Sequence, residues 1–367
     1  MEVTDAMNIG LFPLSGIRVC DTELLELGLT LPGFVERSKT IASLPSLGLL
    51  TLAGMTPGTH DLHYVEVPDA RDVDPLPEGL DLAAISTYSA QIDEAYELAD
   101  RFRSAGVPVV IGGPHVSALP DEAAAHCDAV AVGEGEPVWA RILQDAEAGK
   151  LAPCYRSDPD DYDMADAPAP AFDLLDISKY NRLTVQTSRG CPHHCEFCAS
   201  SVVLTEKYKQ KPVAKVLDEI EAILRIWPKP FIEFADDNSF VNHSYWKELL
   251  ANFKDKHLKW FAETDIFDEV FAFVRDCELY EVQITVMTPF PGTPLYQRLE
   301  REDRLLEPVN WKKCTLFDIN FRPASMSVEE LHDRFRKLAV ELYSDEFTKW
   351  RRSRFKETMR SQRRTKE

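Results

Sequence analysis

Three of the eight cysteines fall inside "TSRGCPHHCEFCASS", residues 187–201, where Cys191, Cys195 and Cys198 stand in a C-x3-C-x2-C spacing. Thiolates gathered this closely hold soft metals or iron–sulfur clusters. A structural zinc site wants four N/S ligands, usually two pairs separated by a longer loop. Here there is one group of three and no second pair. His193 or His194 offers a fourth ligand, but each lies so near its neighbours in sequence that tetrahedral closure would be strained. Three cysteines on an iron–sulfur cubane leave one iron with an open position, the arrangement catalytic metal sites keep for a substrate. The expectation is a metal or cluster site, iron–sulfur ahead of zinc. Cys20, Cys127, Cys154, Cys277 and Cys314 are scattered singly and read as small buried apolar residues.

The cluster must be positioned by the elements around it. From residue 8 to about 150, "NIGLFPL", "HDLHYVEV", "LDLAAISTYSA", "VPVVIGGPH" and "CDAVAVGEGE" read as strands. They alternate with the helical patterns "LGLLTLAGMT", "IDEAYELADRFRSAG" and "EPVWARILQDAEAG". Nearly all-apolar strands in repeated β-α units predict a parallel sheet covered on both faces, a doubly wound, Rossmann-like domain over residues 1–150. Its ligands are expected beyond the carboxyl ends of the strands. Residues 151–180, rich in Pro and Asp and without a period, read as a linker. A second β/α unit, residues 181–325, opens with "RLTVQTS" and runs straight into the cysteines. Its further strand candidates are "PFIEF", "LKWFAETDI", "YEVQITVMT" and "CTLFDINF", with helices at 213–227, at "SYWKELLANFKDK", at "FDEVFAFVRDC" and at "LYQRLEREDRLL". Residues 326–367 form a C-terminal helix, opened by the capping box of Ser327 and Glu330, and a tail. That tail, residues 349–367, carries nine Lys/Arg against two Glu. It reads as a solvated, partly helical segment or as one docking on an acidic patch.

A net charge of −20 argues against a general nucleic-acid surface. No run reaches the roughly 18 apolar residues of a membrane span. The start, "MEVTDAMNIG", lacks the basic and apolar regions of a secretory signal, which places the expected compartment in the cytoplasm, where thiols stay reduced.

The motif Cys191, Cys195, Phe197 and Cys198 resembles the C-x3-C-x-aromatic-C hallmark of radical S-adenosylmethionine enzymes, in the subgroup with an N-terminal cobalamin-binding domain. "FIEFADDNSFVN", "MTPFPGTPLY" and "WKKCTLFDINFRPASMSVEEL" are similar to further segments of that subgroup. The resemblance implies that the three cysteines bind a [4Fe–4S] cluster whose fourth iron takes S-adenosylmethionine, with Phe197 near adenine. It implies that Ala235, Asp236, Asp237 and Asn238 line that cosubstrate; as plain residues, the carboxylates also read as capping groups after a strand. In the N-terminal domain, "IGGPHVSALPDE" and "VGEGEPVW" match the cobalamin-binding sheet, and Gly112, Gly113 and Gly133 would let the backbone approach a flat ligand. No D-x-H-x-x-G follows the first strand: "DLHYVE" has Glu in place of Gly and lies in the second strand. Any cobalamin is therefore expected without a histidine on cobalt, and His115 is expected to be a loop residue. A small-molecule substrate and a reductant such as flavodoxin or ferredoxin follow from the resemblance, with no nucleic acid.

The chain departs from the family's six-unit barrel. Asp265-Ile266 runs directly into Phe267-Asp268, where relatives carry several tens of residues with two further strands and the ribose and adenine contacts. Asp303 stands where relatives usually have Gly. The expected architecture is α/β: a cobalamin-type Rossmann domain, a shortened, open partial β/α barrel in which "LKWFAETDI" and "YEVQITVMT" pair, and a C-terminal helical extension. The expected activity is S-adenosylmethionine cleavage with methyl transfer or C–C bond formation. The alternatives are a non-catalytic cluster- or cobalamin-binding protein and a zinc-stapled module.

Overall fold

The computed structural model describes residues 6–14, 17–26, 40–42, 44–158, 162–193, 195–200, 205, 207–239, 241–253, 258–262, 274–275, 279–280 and 282–364.

Strands β1 (Asn8–Leu14), β2 (Asp61–Tyr64), β3 (Leu82–Thr87), β4 (Val109–Gly112), β5 (Ala129–Val132) and β6 (Cys154–Arg156) form one parallel sheet in the order β2-β1-β3-β4-β5-β6. Side chains alternate along each strand, so every strand feeds two cores. Phe12, Leu14, Ile85 and Ile111 pack with Ile92, Ala95, Leu98 and Phe102 of helix α2 (Ile92–Ser104). Ile9, Leu11, Ala84 and Val110 pack with Leu49 and Ala53 of α1 (Leu47–Met55) and Trp139 and Ile142 of α3 (Glu136–Glu147). Helices on both faces explain the unbroken apolar strands. The expected doubly wound domain forms, with one addition: β6 comes from the segment read as a linker. Three residues of alternating exposure, with only Tyr155 buried, carry too short a pattern to stand out. Cys154 is consequently exposed, as is Cys20, against the expectation of burial; Cys127 and Cys314 are buried as expected, and Cys277 lies outside the described residues.

The second unit has a parallel sheet β9-β8-β7, built of β7 (Leu183–Val185), β8 (Phe231–Phe234) and β9 (Lys259–Ala262). Helices α4 (Val213–Ile226) and α5 (His243–Ala251) cover one face, where Leu183, Val185, Ile232 and Phe234 meet Val216, Ile220, Trp246 and Leu249. The opposite face carries Arg182, Thr184 and Glu233.

Two expected strands do not form. Residues 282–290, within "YEVQITVMT" and its continuation, make no strand, so the expected pairing with β9 is absent among the described residues. Ile284 and Val286 instead bury in a C-terminal core with Leu295, Phe317, Phe335 and Leu342. Among the described residues, one backbone bond, Val286 N to Leu316 O at 2.7 Å, is what remains of strand-like contact. "CTLFDINF" is bent by its own side chains: the Thr315 hydroxyl accepts from the amides of Phe317 and Asp318 and donates to the Asp318 carboxylate at 2.6 Å. Such local bonds compete with a ladder. Leu316 adopts φ 72°, and a single bridge, Leu305 to Phe321, follows. Of "FDEVFAFVRDC", only Val274 and Arg275 are described.

The chain closes with α6 (Pro294–Arg301), α7 (Val328–Tyr343) and α8 (Asp345–Arg364). The Ser327 hydroxyl accepts from Glu330 N at 3.0 Å, the expected cap, while the Glu330 carboxylate turns outward to Arg334. Asp303 follows α6 at φ 52°, the left-handed position that glycine fills best and Asp tolerates. In the basic tail, Arg351 is wholly buried, donating to the carbonyls of Tyr280 and Leu342, so α8 docks on its own chain. Among the described residues no helix is long and apolar enough to cross a membrane.

Candidate active site

The cysteine loop leaves the carboxyl end of β7, and its base is closed as a short hairpin in which Ser188–Arg189 pairs antiparallel with Lys209–Gln210. The acidic pair after β8 pins this base. Asp236 accepts from the amides of Thr187 (2.7 Å) and Ser188 (2.9 Å) and from the Thr187 hydroxyl (2.6 Å). Asp237 accepts from Gly190 N at 2.8 Å. Burial pushes the Asp236 carboxyl up to about 6, against the lowering effect of those hydrogen bonds. Gly190 sits at φ 76°, and a Cβ there would lie 2.4 Å from the Lys207 carbonyl oxygen, so no other residue fits.

Beyond Gly190, Cys191 is buried, with the Asn238 amide donating to its sulfur at 3.9 Å. Cys195 and Cys198 are half-buried on a turn closed by Cys198 N to Cys195 O. Between them Glu196 receives the N-terminus of α6: its carbonyl accepts from Leu295 N at 2.9 Å, and its carboxylate is held by Arg298. The "MTPFPGTPLY" segment thus docks directly on the loop. Phe197 is 44% exposed and Ala235 is exposed, whereas Asp236 and Asn238 are buried. His193 is exposed and His194 lies outside the described residues. Among the described residues no three Cys, His, Asp or Glu side chains converge on a point that could hold a metal ion. The donor set nevertheless suits an iron–sulfur cluster: three thiols, one buried and two half-buried, share one loop anchored at its base and at Glu196. Sequence reasoning placed Asp236 and Asp237 on the cosubstrate; the structure shows them holding the loop.

Facing the hairpin is the loop after β5. Arg189 donates to Glu134 (2.7 Å), to both oxygens of Glu136 (2.8 and 3.3 Å) and to Gln186 (3.0 Å), while Lys209 donates to Glu134 at 2.6 Å. Burial alone would raise the Glu136 carboxyl, but Arg189 beside it holds it below its ordinary value. The Tyr162 ring lies 5.5 Å from the Arg189 guanidinium and 5.9 Å from the Lys209 ammonium. This network was missed in the sequence. "VGEGE" drew attention for its glycines, and nothing in "TSRGC" says where the arginine points.

At the carboxyl edge of the large sheet, Gly113 adopts φ 116° and Gly133 φ 85°. A Cβ on Gly113 would sit 2.5 Å from the Thr87 carbonyl oxygen, and one on Gly133 2.6 Å from the Ser157 hydroxyl. One on Gly112 would make ordinary contact with Ala131, 3.4 Å away. The glycines at 113 and 133 are demanded by the neighbouring chain itself. His115 is buried on a short helix, bonded to Ser89 (3.0 Å) and Glu122 (3.1 Å) and edge-on to Trp311. Both ring nitrogens are engaged, and the residue stands on a helix opened by Pro114 where a loop was expected. On the other face of the smaller sheet, Arg182 is ion-paired with Glu233, and among the described residues the buried Arg182 Nη1 and Thr184 hydroxyl have no hydrogen-bond partner.

The comparisons agree with this geometry. Residues 41–143 match the B12 binding domain, and residues 293–367 match a domain of unknown function, DUF4070. The bacteriochlorophyllide d C-12(1)-methyltransferase of Chlorobaculum tepidum is 24% identical over 386 positions, covering 81% of this chain and 82% of that protein. Those 386 positions exceed the 367 residues of this chain, so the relative carries residues with no counterpart here. Among solved structures, the radical S-adenosylmethionine methyltransferase TsrM from Kitasatospora setae superposes with TM-score 0.53 at 14% identity, over 73% of this chain and 57% of TsrM. The cobalamin-dependent S-adenosylmethionine radical enzyme OxsB gives 0.53 at 15%, over 92% of this chain and 56% of OxsB. The chain thus spans little more than half the length of either solved protein. A cobalamin-type sheet followed by a three-cysteine β/α unit defines the class. In its B12-binding match and in its likeness to these relatives, the chain resembles the radical S-adenosylmethionine enzymes that carry an N-terminal cobalamin-binding domain.

Proposed function

We propose that this enzyme uses a [4Fe–4S] cluster, S-adenosylmethionine and cobalamin to transfer a methyl group to carbon on a small-molecule substrate, with reducing equivalents from a flavodoxin or ferredoxin. The carrying observation is the anchored three-thiol loop at the carboxyl end of β7, held against the carboxyl-edge loop of the cobalamin-type sheet by Arg189 and Lys209. Cys191, Cys195 and Cys198 would hold the cluster, which supplies the electron for reductive cleavage of a sulfonium. The chain's own residues fix the geometry. Asp236 and Asp237 set the height of the loop, Asn238 directs an N–H at the Cys191 sulfur, and Glu196 ties the Cys195–Cys198 turn to α6. Gly112, Gly113 and Gly133 would border the cobalamin. The gap at Ile266 supports the reading that one flank of the adenosine site is open, with weak cosubstrate binding and slow cleavage.

Anaerobic reconstitution is the test. Alanine at any one of Cys191, Cys195 or Cys198 is expected to abolish iron loading, and alanine at Cys314 to leave it unchanged. Equal loss in all four variants would defeat the ligand assignment, and stoichiometric zinc in a colourless protein would defeat the cluster. A second reading, a degenerate cofactor-binding protein, is favoured by the residues present in the relative and missing here. A full cluster that forms no 5′-deoxyadenosine under reductant would select it.

A further inference from the structure

The contacts between the two units are unevenly distributed in charge. Both carboxylates of the central network, Glu134 and Glu136, come from the "VGEGE" loop after β5, and both cations, Arg189 and Lys209, come from the base of the cysteine hairpin, directly opposite each other in its register. Glu134, Glu136 and Lys209 are buried, and the Arg189 side chain is 18% exposed. Two negative and two positive groups cancel, and Tyr162 lies over the cations. A buried set of this kind holds together or fails as a whole, because losing one member leaves an uncompensated charge out of water.

Its position matters more than its strength. On one side Glu134 directly follows Gly133, whose amide is held by the Ser117 hydroxyl at 2.9 Å and which borders the flat carboxyl edge of the large sheet. On the other side Arg189 stands two residues before Cys191, across Gly190, which is clamped by Asp237 and crowded by Lys207. The path from Gly133 through Glu134 and Arg189 to Cys191 runs through chain neighbours and the single Glu134–Arg189 bond of 2.7 Å. A ligand that shifts Gly133 must shift Arg189 or break the network, and a change at Cys191 must act back along the same path.

We propose that Glu134, Glu136, Arg189 and Lys209 are positioning residues that couple the two cofactor sites, so that occupancy of the cobalamin domain adjusts the cysteine loop and the cluster adjusts cobalamin affinity. Thermodynamic linkage requires the two effects to be equal. This inference rests on the proposed pair of cofactors, and its test separates the two.

The experiment is an equilibrium titration of the full-length protein with hydroxocobalamin under anaerobic conditions, counting bound cobalt after ultrafiltration, on iron-free and cluster-loaded samples. In the wild type the two dissociation constants should differ by about fivefold or more, the low end of measured site-to-site coupling. Glu134→Gln should reduce that ratio to near unity while iron loading stays at the wild-type level. The electron paramagnetic resonance g-values of the reduced cluster should move on adding cobalamin in the wild type and stay fixed in the variant. Should Glu134→Gln fail to fold, as judged by circular dichroism, Arg189→Gln is read the same way, because it cuts the same Glu134–Arg189 link while leaving the Glu134–Lys209 pair in place. Lys312→Ala removes the exposed pair with Asp93 elsewhere between the same two units and should keep the wild-type ratio. Equal affinities in the two wild-type samples, or an unchanged ratio in both glutamine variants, would overturn the coupling alone. A wild type that takes up no cobalamin, or no iron, would overturn the coupling together with the reading beneath it.

Discussion

Gly113→Ala separates two roles that a sequence cannot distinguish. If this glycine serves only to let a ligand approach, the ligand-free protein should tolerate a methyl group there apart from backbone strain. The structure says otherwise. At φ 116° and ψ 177° the residue occupies a region open essentially to glycine alone, costing about 1–3 kcal/mol for any other residue. In addition, the new Cβ would lie 2.5 Å from the Thr87 carbonyl oxygen and 3.2 Å from the Thr87 amide nitrogen. Both are backbone atoms of the β3 terminus and cannot swing aside, so relief requires moving the strand end, at about 1–3 kcal/mol for overpacking of this kind. Reduced freedom of the unfolded chain returns only about 0.5 kcal/mol. The net loss is about 1.5–5.5 kcal/mol, a sizeable share of the roughly 5–15 kcal/mol by which a folded domain is stable. Two controls isolate the contributions. Gly106 has φ 81° with open space around its Cβ position, so Gly106→Ala should cost about 1 kcal/mol from strain and the lost helix stop. Gly58 has neither strain nor contact, so Gly58→Ala should be neutral or slightly stabilising. Urea unfolding of the ligand-free protein, followed by tryptophan fluorescence with Trp139 buried in the same domain, ranks the three. Indistinguishable midpoints for Gly113→Ala and Gly106→Ala would refute the steric argument and restore the ligand-only role.

Two further outcomes are expected. Arg182→Met should destabilise by about 3–5 kcal/mol because it leaves Glu233 buried without its partner, and adding Glu233→Gln should recover most of that loss; additive losses in urea would show the pair to be uncoupled. Burial pushes the His115 imidazole below its ordinary value despite Glu122, so at mildly acid pH the unfolded chain binds a proton that the fold does not. The stability this lends is present above about pH 6.5 and is lost as pH falls through that value toward the lowered one. Wild type should therefore lose more stability than His115→Gln between pH 7.5 and pH 5.5, and parallel urea midpoints across that range would contradict it.

The large sheet was legible because burial on both faces writes itself into the strands: "LAAI" and "VVIG" carry no polar side chain. β6 was not, since three residues with one buried tyrosine look like coil. "YEVQITVMT" failed in the opposite sense. Its β-branched alternation is real, and Ile284 and Val286 are buried, but they pack into a helical core and no strand pairs with them. A strand is defined by its neighbour, which spacing along one segment does not report. At the site, that three thiols share one loop was legible from spacing alone. The roles of Asp236 and Asp237 were not, because a carboxylate after a strand can face a ligand or the backbone with the same sequence. Nor was Arg189, whose partners lie 53 and 55 residues away in the chain.

The packing of Trp311 has a bearing on how the chain is made. Trp311 and Cys314, with Phe290 and Tyr296 beside them, complete the core on the α2 face of the first domain, and the indole N–H of Trp311 reaches Glu122 at 3.3 Å. During synthesis, at roughly 5–20 residues per second, the first sheet emerges well before this plug does. For that interval the α2 face would present uncovered apolar surface, and the middle unit, with its cysteine hairpin, must form while the first domain is still unsealed. A later segment would then return to the first domain after the cysteine hairpin, which lies between the two in the order of synthesis, had already been made.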